Sequence, residues 1–142
     1  MTFQHQQEFD LFALKNCPPS TYSPQNLEQV FRWVFDDIDD TRNFQPQYYK
    51  NPKRFWGKSP ETVCSSLALS LFDTAENAAI RFYILKELMQ QKNYTTLGTK
   101  IAVGYLTEQD GMNSALDEKG HFNHHPAAEN SYSQRFKIIQ NL

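Results

Sequence analysis

The clearest hydrophobic pattern in this chain lies between Leu67 and Met89. Leu67, Leu69 and Leu71 alternate with Ser66, Ala68 and Ser70. A period of two marks a strand with one face inward, which predicts a strand over Leu67–Phe72. Val63, Leu67 and Leu71 also fit a four-residue helical step, and leucine is a modest strand former; the alternation is preferred. Directly afterwards, Ala75, Ala78, Ala79, Phe82, Leu85 and Met89 recur at three- and four-residue steps. This predicts a helix from Ala75, with Ile80, Ile84 and Leu88 widening its apolar face. Asp73 and Glu76 have the spacing of a capping box at its start, and Lys92 and Asn93 suit its end.

Two further segments read as strands, one from alternation and one from its residue types. In Thr99–Leu106, Ile101, Val103 and Tyr105 oppose Ala102, Gly104 and Leu106. In Val30–Phe35, β-branched and aromatic residues favour a strand, although Leu27, Val30, Phe31, Val34 and Ile38 also fit a helical stripe. The strand is chosen, which places Arg32 on the face shared by Val30 and Val34. Asp110-Gly111 signals a turn, residues 112–119 read as a polar loop, and Gly120–Pro126 reads as a short strand. Arg135–Ile139 reads as a last strand with Phe136 and Ile138 inward. The prediction is an α+β fold: a single domain over 1–142, with a small, mainly antiparallel or mixed sheet and one dominant helix across it. Residues 1–25 form an N-terminal arm that includes a short helix before Cys17-Pro18-Pro19.

Composition narrows the class. At 142 residues, the chain is long enough to bury its own core. The mean hydropathy is -0.66, and no apolar run exceeds four residues, so no membrane-spanning segment is expected. The start lacks the basic and apolar regions of a secretory leader. A cytoplasmic protein is therefore expected, with Cys17 and Cys64 as reduced thiols and Cys64 as a small core residue. A net charge of -2 does not mark the whole chain as a nucleic-acid binder.

Candidate chemistry is scattered. Asp36, Asp37, Asp39 and Asp40 form an acidic cluster without the glycine and terminal glutamate of a calcium loop. The stretch 41–60 then carries five basic residues and no acidic ones, interleaved with aromatics. Lys50, Lys53, Arg54 and Trp56 supply cations for phosphates and a ring for stacking, so this excursion is a candidate surface for a protein or nucleic-acid partner. His121, His124 and His125 lie within five positions, but their spacing matches no established zinc signature and no metal is assigned. In a strand, His121 and His125 would share a face and His124 would oppose them. His121 is a candidate base, because imidazole titrates near neutrality. Arg32, if buried in its apolar strand, must meet an anion.

The order of these elements resembles the compact NAD-handling fold of the ADP-ribosyltransferase-like proteins and the related RES-type toxins. The strings that carry the likeness are Phe31-Arg32-Trp33-Val34, Leu69–Ala78 with its serine-bearing strand and alanine-rich helix, Lys100–Gly104, and Gly120-His121-Phe122. The resemblance implies that Arg32 holds NAD, that Ser70 lines the pocket and that His121 takes the late catalytic position. No glutamate stands in the late strand where transfer chemistry would want one. The expectation is a protein that binds a nucleotide or another small anion. The alternative is a non-catalytic interaction module built on residues 41–60. No motif fixes an enzymatic activity.

Overall fold

The computed structural model describes residues 1–142. The centre of the fold is β1 (Leu27–Val34), whose β-branched and aromatic residues suit a strand covered on both sides. Its neighbours are β2 (Leu69–Phe72) and β3 (Lys100–Leu106), and the sheet is completed by β4 (Gly111–Asn113), β5 (His121–Pro126) and β6 (Lys137–Asn141). The order across the sheet is β4-β5-β2-β1-β3-β6, and every pairing is antiparallel. Four α-helices accompany the sheet: α1 (Gln6–Leu11), α2 (Gln47–Lys50), α3 (Pro60–Ser66) and α4 (Ala75–Leu88). None of them is long and apolar enough to cross a membrane.

Strand alternation divides the core into two layers. Val30, Val34, Leu69, Leu71, Ala102, Leu106 and Phe122 face one way, and Tyr132 and Phe136 from the segment before β6 pack over them. Phe31, Phe72 and Ile101 face the other way, beneath Ala78 of α4. Alanines let the helix axis come close to the sheet. Trp33 then ties it down: its indole Nε1 donates to the Ala78 carbonyl at 2.9 Å, and Phe82 meets its ring edge-on at 5.7 Å. Burying a side chain such as Phe82 stabilises by about 2–3 kcal/mol.

The structure corrects several sequence expectations. The second strand begins at Leu69, because residues 60–66 form α3. Ser59 caps that helix by accepting from the Thr62 amide at 3.2 Å, with Pro60 in its first turn. Leu67 is the residue on which α3 ends. The four-residue step from Val63 to Leu67 thus belonged to a helix. The cap of α4 is Thr74, which accepts from the Asn77 amide at 3.0 Å, while Asp73 accepts from the Asn77 side chain at 2.8 Å. Ile80, Ile84 and Leu88 do not join the core; all three are exposed. Strand β4 lies within the stretch read as turn and polar loop, and the last strand starts two residues later than expected, at Lys137. Phe136 is nonetheless buried and Ile138 partly so. The 41–60 excursion is built of short turns, Thr41–Phe44 and Pro52–Phe55 around α2.

The largest correction concerns the cysteines. Cys17 and Cys64 are joined by a disulfide across a sequence separation of 47, where two reduced thiols were expected. The N-terminal arm runs back beside α3 and brings the two Cα atoms to 5.7 Å. Closing a loop of this length in the unfolded chain is worth about 4 kcal/mol to the fold.

Candidate functional site

Arg32 is the charged residue set deepest in the sheet. It lies on the face of β1 that carries Val30 and Val34 and is 6 % exposed. Its guanidinium donates to three backbone carbonyls: Nε to Asn43 at 2.6 Å, Nη1 to Ser70 at 2.8 Å and Nη2 to Gln45 at 3.3 Å. Asn43 is itself locked in place. Its Oδ1 accepts from the Phe35 amide at 2.7 Å, and its Nδ2 donates to the carbonyls of Asp37 and Ile38. The Ser70 carbonyl is open to Arg32 because β1 and β2 are in register only at Phe31 and Phe72. The guanidinium therefore joins two strands whose backbones have begun to part.

None of these partners carries charge. Burial draws Arg32 down to about 10, so it stays cationic at neutral pH. A cavity of about 40 Å³ opens beside it, lined by Trp33, Gln45, Gln47, Lys50 and Ser70 among others, and no carboxylate lines it. That volume exceeds the ~10–15 Å³ needed for one water and suits a single small anionic group. Lys50 is an exposed residue, and its ammonium lies 6.0 Å from the centre of the Phe35 ring. Desolvation and the neighbouring guanidiniums of Arg32 and Arg42 bring Lys50 down to about 8. Asp40, the one carboxylate that acts on Lys50, is already paired with Arg42 at 2.7 Å.

The other sequence candidates fall elsewhere. His121 sits opposite Phe72 in the β2–β5 register, on the α4 side of the sheet and so on the face away from Arg32. Its ring meets Phe72 edge-on at 5.4 Å, and Nδ1 lies 3.6 Å from the Asp117 carboxylate. Burial lowers its pKa against the opposing pull of Asp117. Arg32 and Ser70 thus line one cavity that His121 does not reach. Lys50 belongs to the same cavity, whereas Lys53, Arg54 and Trp56 are exposed on the outside of the excursion. The acidic cluster is occupied with local structure: Asp40 caps the Thr41–Phe44 turn, and Asp36 accepts from the Thr99 hydroxyl at 2.6 Å.

Two adjacent histidines do more than the sequence disclosed. His124 is buried and neutral, drawn down to about 3 chiefly by desolvation. Its Nδ1 donates to Asn113 Oδ1 at 2.5 Å, and its Nε2 accepts from the Tyr132 hydroxyl at 2.6 Å. That hydroxyl in turn accepts from Asn130 at 3.1 Å. Asn130 also bonds the carbonyl of Asp110, whose carboxylate pairs with Arg135. His125 points the opposite way and is 0 % exposed. Its Nε2 lies 3.6 Å from Cys64 Sγ and 4.0 Å from Cys17 Sγ, its ring is flanked by Phe9 and Tyr22, and its Nδ1 has no hydrogen-bond partner. Period-two alternation predicts the opposite facing of the pair. Their partners lie too far along the chain for any local signal.

Comparisons with models of protein families, with curated proteins and with solved structures found no match to this chain.

Proposed function

We propose that this protein binds a small molecule through one anionic group, a phosphoryl or carboxylate, held between Arg32 and Lys50. The observation that carries this reading is a buried guanidinium bonded only to neutral carbonyls, beside a cavity with a second cation and no acid. Three of its five N–H donors have partners, which leaves two for a ligand. An anion there would neutralise a charge that the protein itself leaves uncompensated. NAD and ADP-ribose, the ligands implied by the resemblance to ADP-ribosyltransferase-like proteins, present suitable phosphates, with Arg32 and Ser70 as their contacts. The cavity takes one such group, so the remainder of a nucleotide would extend outside it. His121 lies away from this cavity, and the reading is of binding without a catalytic role for it.

Calorimetry on the full chain with inorganic phosphate, ADP-ribose and NAD tests the proposal. At least one should release or absorb heat with wild type and bind more weakly to Lys50→Gln. Absence of heat from all three, with the fold intact, removes the reading.

A second reading rests on Trp56, which is 67 % exposed next to the exposed cations Lys53 and Arg54. In it, this face contacts a protein or nucleic acid. Here a Lys53→Glu, Arg54→Glu double variant would lose partner capture while staying folded, and an unchanged capture profile would count against it.

A further inference from the structure

His125 presents a different problem. The ring is wholly buried, one nitrogen has no partner, and the other faces only the two sulfurs of the Cys17–Cys64 bond. A neutral disulfide is a poor acceptor, so this imidazole gains little from its place. The same three residues nonetheless bring one ligand atom each to within 4.8 Å of one another. A tetrahedral ion with bonds of ~2.3 Å to sulfur and ~2.0 Å to nitrogen holds its sulfur and nitrogen ligands ~3.5 Å apart. The imidazole Nε2, at 3.6 and 4.0 Å from the sulfurs, already stands at about that spacing.

We propose that Cys17, Cys64 and His125 form a binding site for a soft cation, zinc(II) or copper(I), available when the disulfide is reduced. In the bonded pair, neither sulfur is a thiolate, and the thiolate is the metal-binding form. Reduction changes that. With a trialkylphosphine, phosphorus attacks one sulfur and the S–S bond breaks with release of the first thiolate. Water then cleaves the phosphorus–sulfur bond. The products are two thiols and one phosphine oxide, the phosphine having supplied two electrons. Each thiol gives up its proton to solvent as it takes the metal. Two thiolates and an imidazole are the donor set that selects zinc(II) or copper(I) over hard cations. Phe9 and Tyr22 against the ring supply an apolar surround that limits water at the site. Cys64 is buried while Cys17 is partly exposed, so reductant and ion have a side from which to approach.

The test uses the full chain without oxygen. Oxidised and phosphine-reduced protein are each titrated with zinc(II) against a chromophoric zinc chelator, and with copper(I) against a copper(I) chelator. Reduced protein should take up one equivalent of at least one ion and oxidised protein none; the ion retained identifies the preference. Cys17→Ser should weaken uptake on the order of 100-fold or more, beyond the range seen for residues that only support a ligand. If the reduced chain loses its near-ultraviolet circular dichroism, regain of that signal with one equivalent of ion supports the site equally. If neither zinc(II) nor copper(I) binds the reduced chain or restores the signal, the proposal is overturned, as it is by uptake in Cys17→Ser equal to wild type. Phosphate, ADP-ribose and NAD play no part in these readouts, so the outcome is independent of the Arg32 cavity.

Discussion

Arg135 and Arg32 are both drawn in against the same sheet, and they reach opposite electrical states. Arg135 pairs with Asp110, and the network beyond it closes through Asn130, Tyr132, His124 and Asn113. Arg32 bonds three carbonyls and faces another cation across a cavity. Both regions are polar and largely enclosed, so burial does not separate them. Charge balance does. A network in which each donor meets an acceptor, and each cation an anion, supports the fold. One that keeps an excess positive charge within reach of solvent suits a partner from outside.

The contrast can be broken most forcefully at His124. Its replacement by alanine removes two short hydrogen bonds, strands the Asn113 acceptor and opens a void. His124→Ala should destabilise the protein by about 3–4 kcal/mol in urea unfolding, and a loss below about 1 kcal/mol would mean the network is not holding the fold. Asp110→Asn comes next, with a loss of about 2 kcal/mol. Burial alone would push the Asp110 carboxyl up, but Arg135 and the Thr107 amide together hold it below its ordinary value. A carboxyl with a depressed folded pKa adds stability that is complete above its unfolded value, near 3.9, and lost as pH falls through the folded one. Acid unfolding curves should therefore show a shallower dependence in Asp110→Asn than in wild type.

At the Arg32 cavity, the sharper tool is Lys50→Gln. Removing one partly solvated cation should weaken anion affinity about tenfold while leaving the fold intact. In wild type the same affinity should fall as pH rises through about 8, where Lys50 loses its proton; calorimetry across that range should find the Lys50→Gln variant flat. Smallest of all is Trp56→Ala. Its ring is exposed, so stability should change by less than about 0.5 kcal/mol, and any loss of partner capture could then be assigned to the surface itself.

Parts of this arrangement are legible in the sequence because their causes are local. The β-branched and aromatic run of β1, the alternation in β3 and the alanine stripe of α4 locate the sheet's centre and the helix across it. An arginine inside an apolar strand marks Arg32 as a residue in need of partners. Its acceptors are invisible, since Asn43, Gln45 and Ser70 act through backbone carbonyls that every residue possesses. Strand β4 is three residues long, too short for alternation to register. The apolar positions of α4 run nearly all round the helix, so the pattern alone cannot tell that Ile80 and Ile84 face solvent. The disulfide and the placement of His125 arise from chain segments brought together only by the complete fold. A count of two cysteines carries no information about such a meeting.

The position of β1 has a kinetic consequence. It precedes the other five strands of the sheet in the chain and lies inside it, yet neither β2 nor β3 reaches it through a hairpin. During synthesis its apolar residues must wait for partners that emerge much later. Long-range pairing of this kind slows folding toward the millisecond-to-second range and leaves a sticky, half-built sheet exposed in the interval. Refolding yield should therefore fall as protein concentration rises, even where the finished fold is stable.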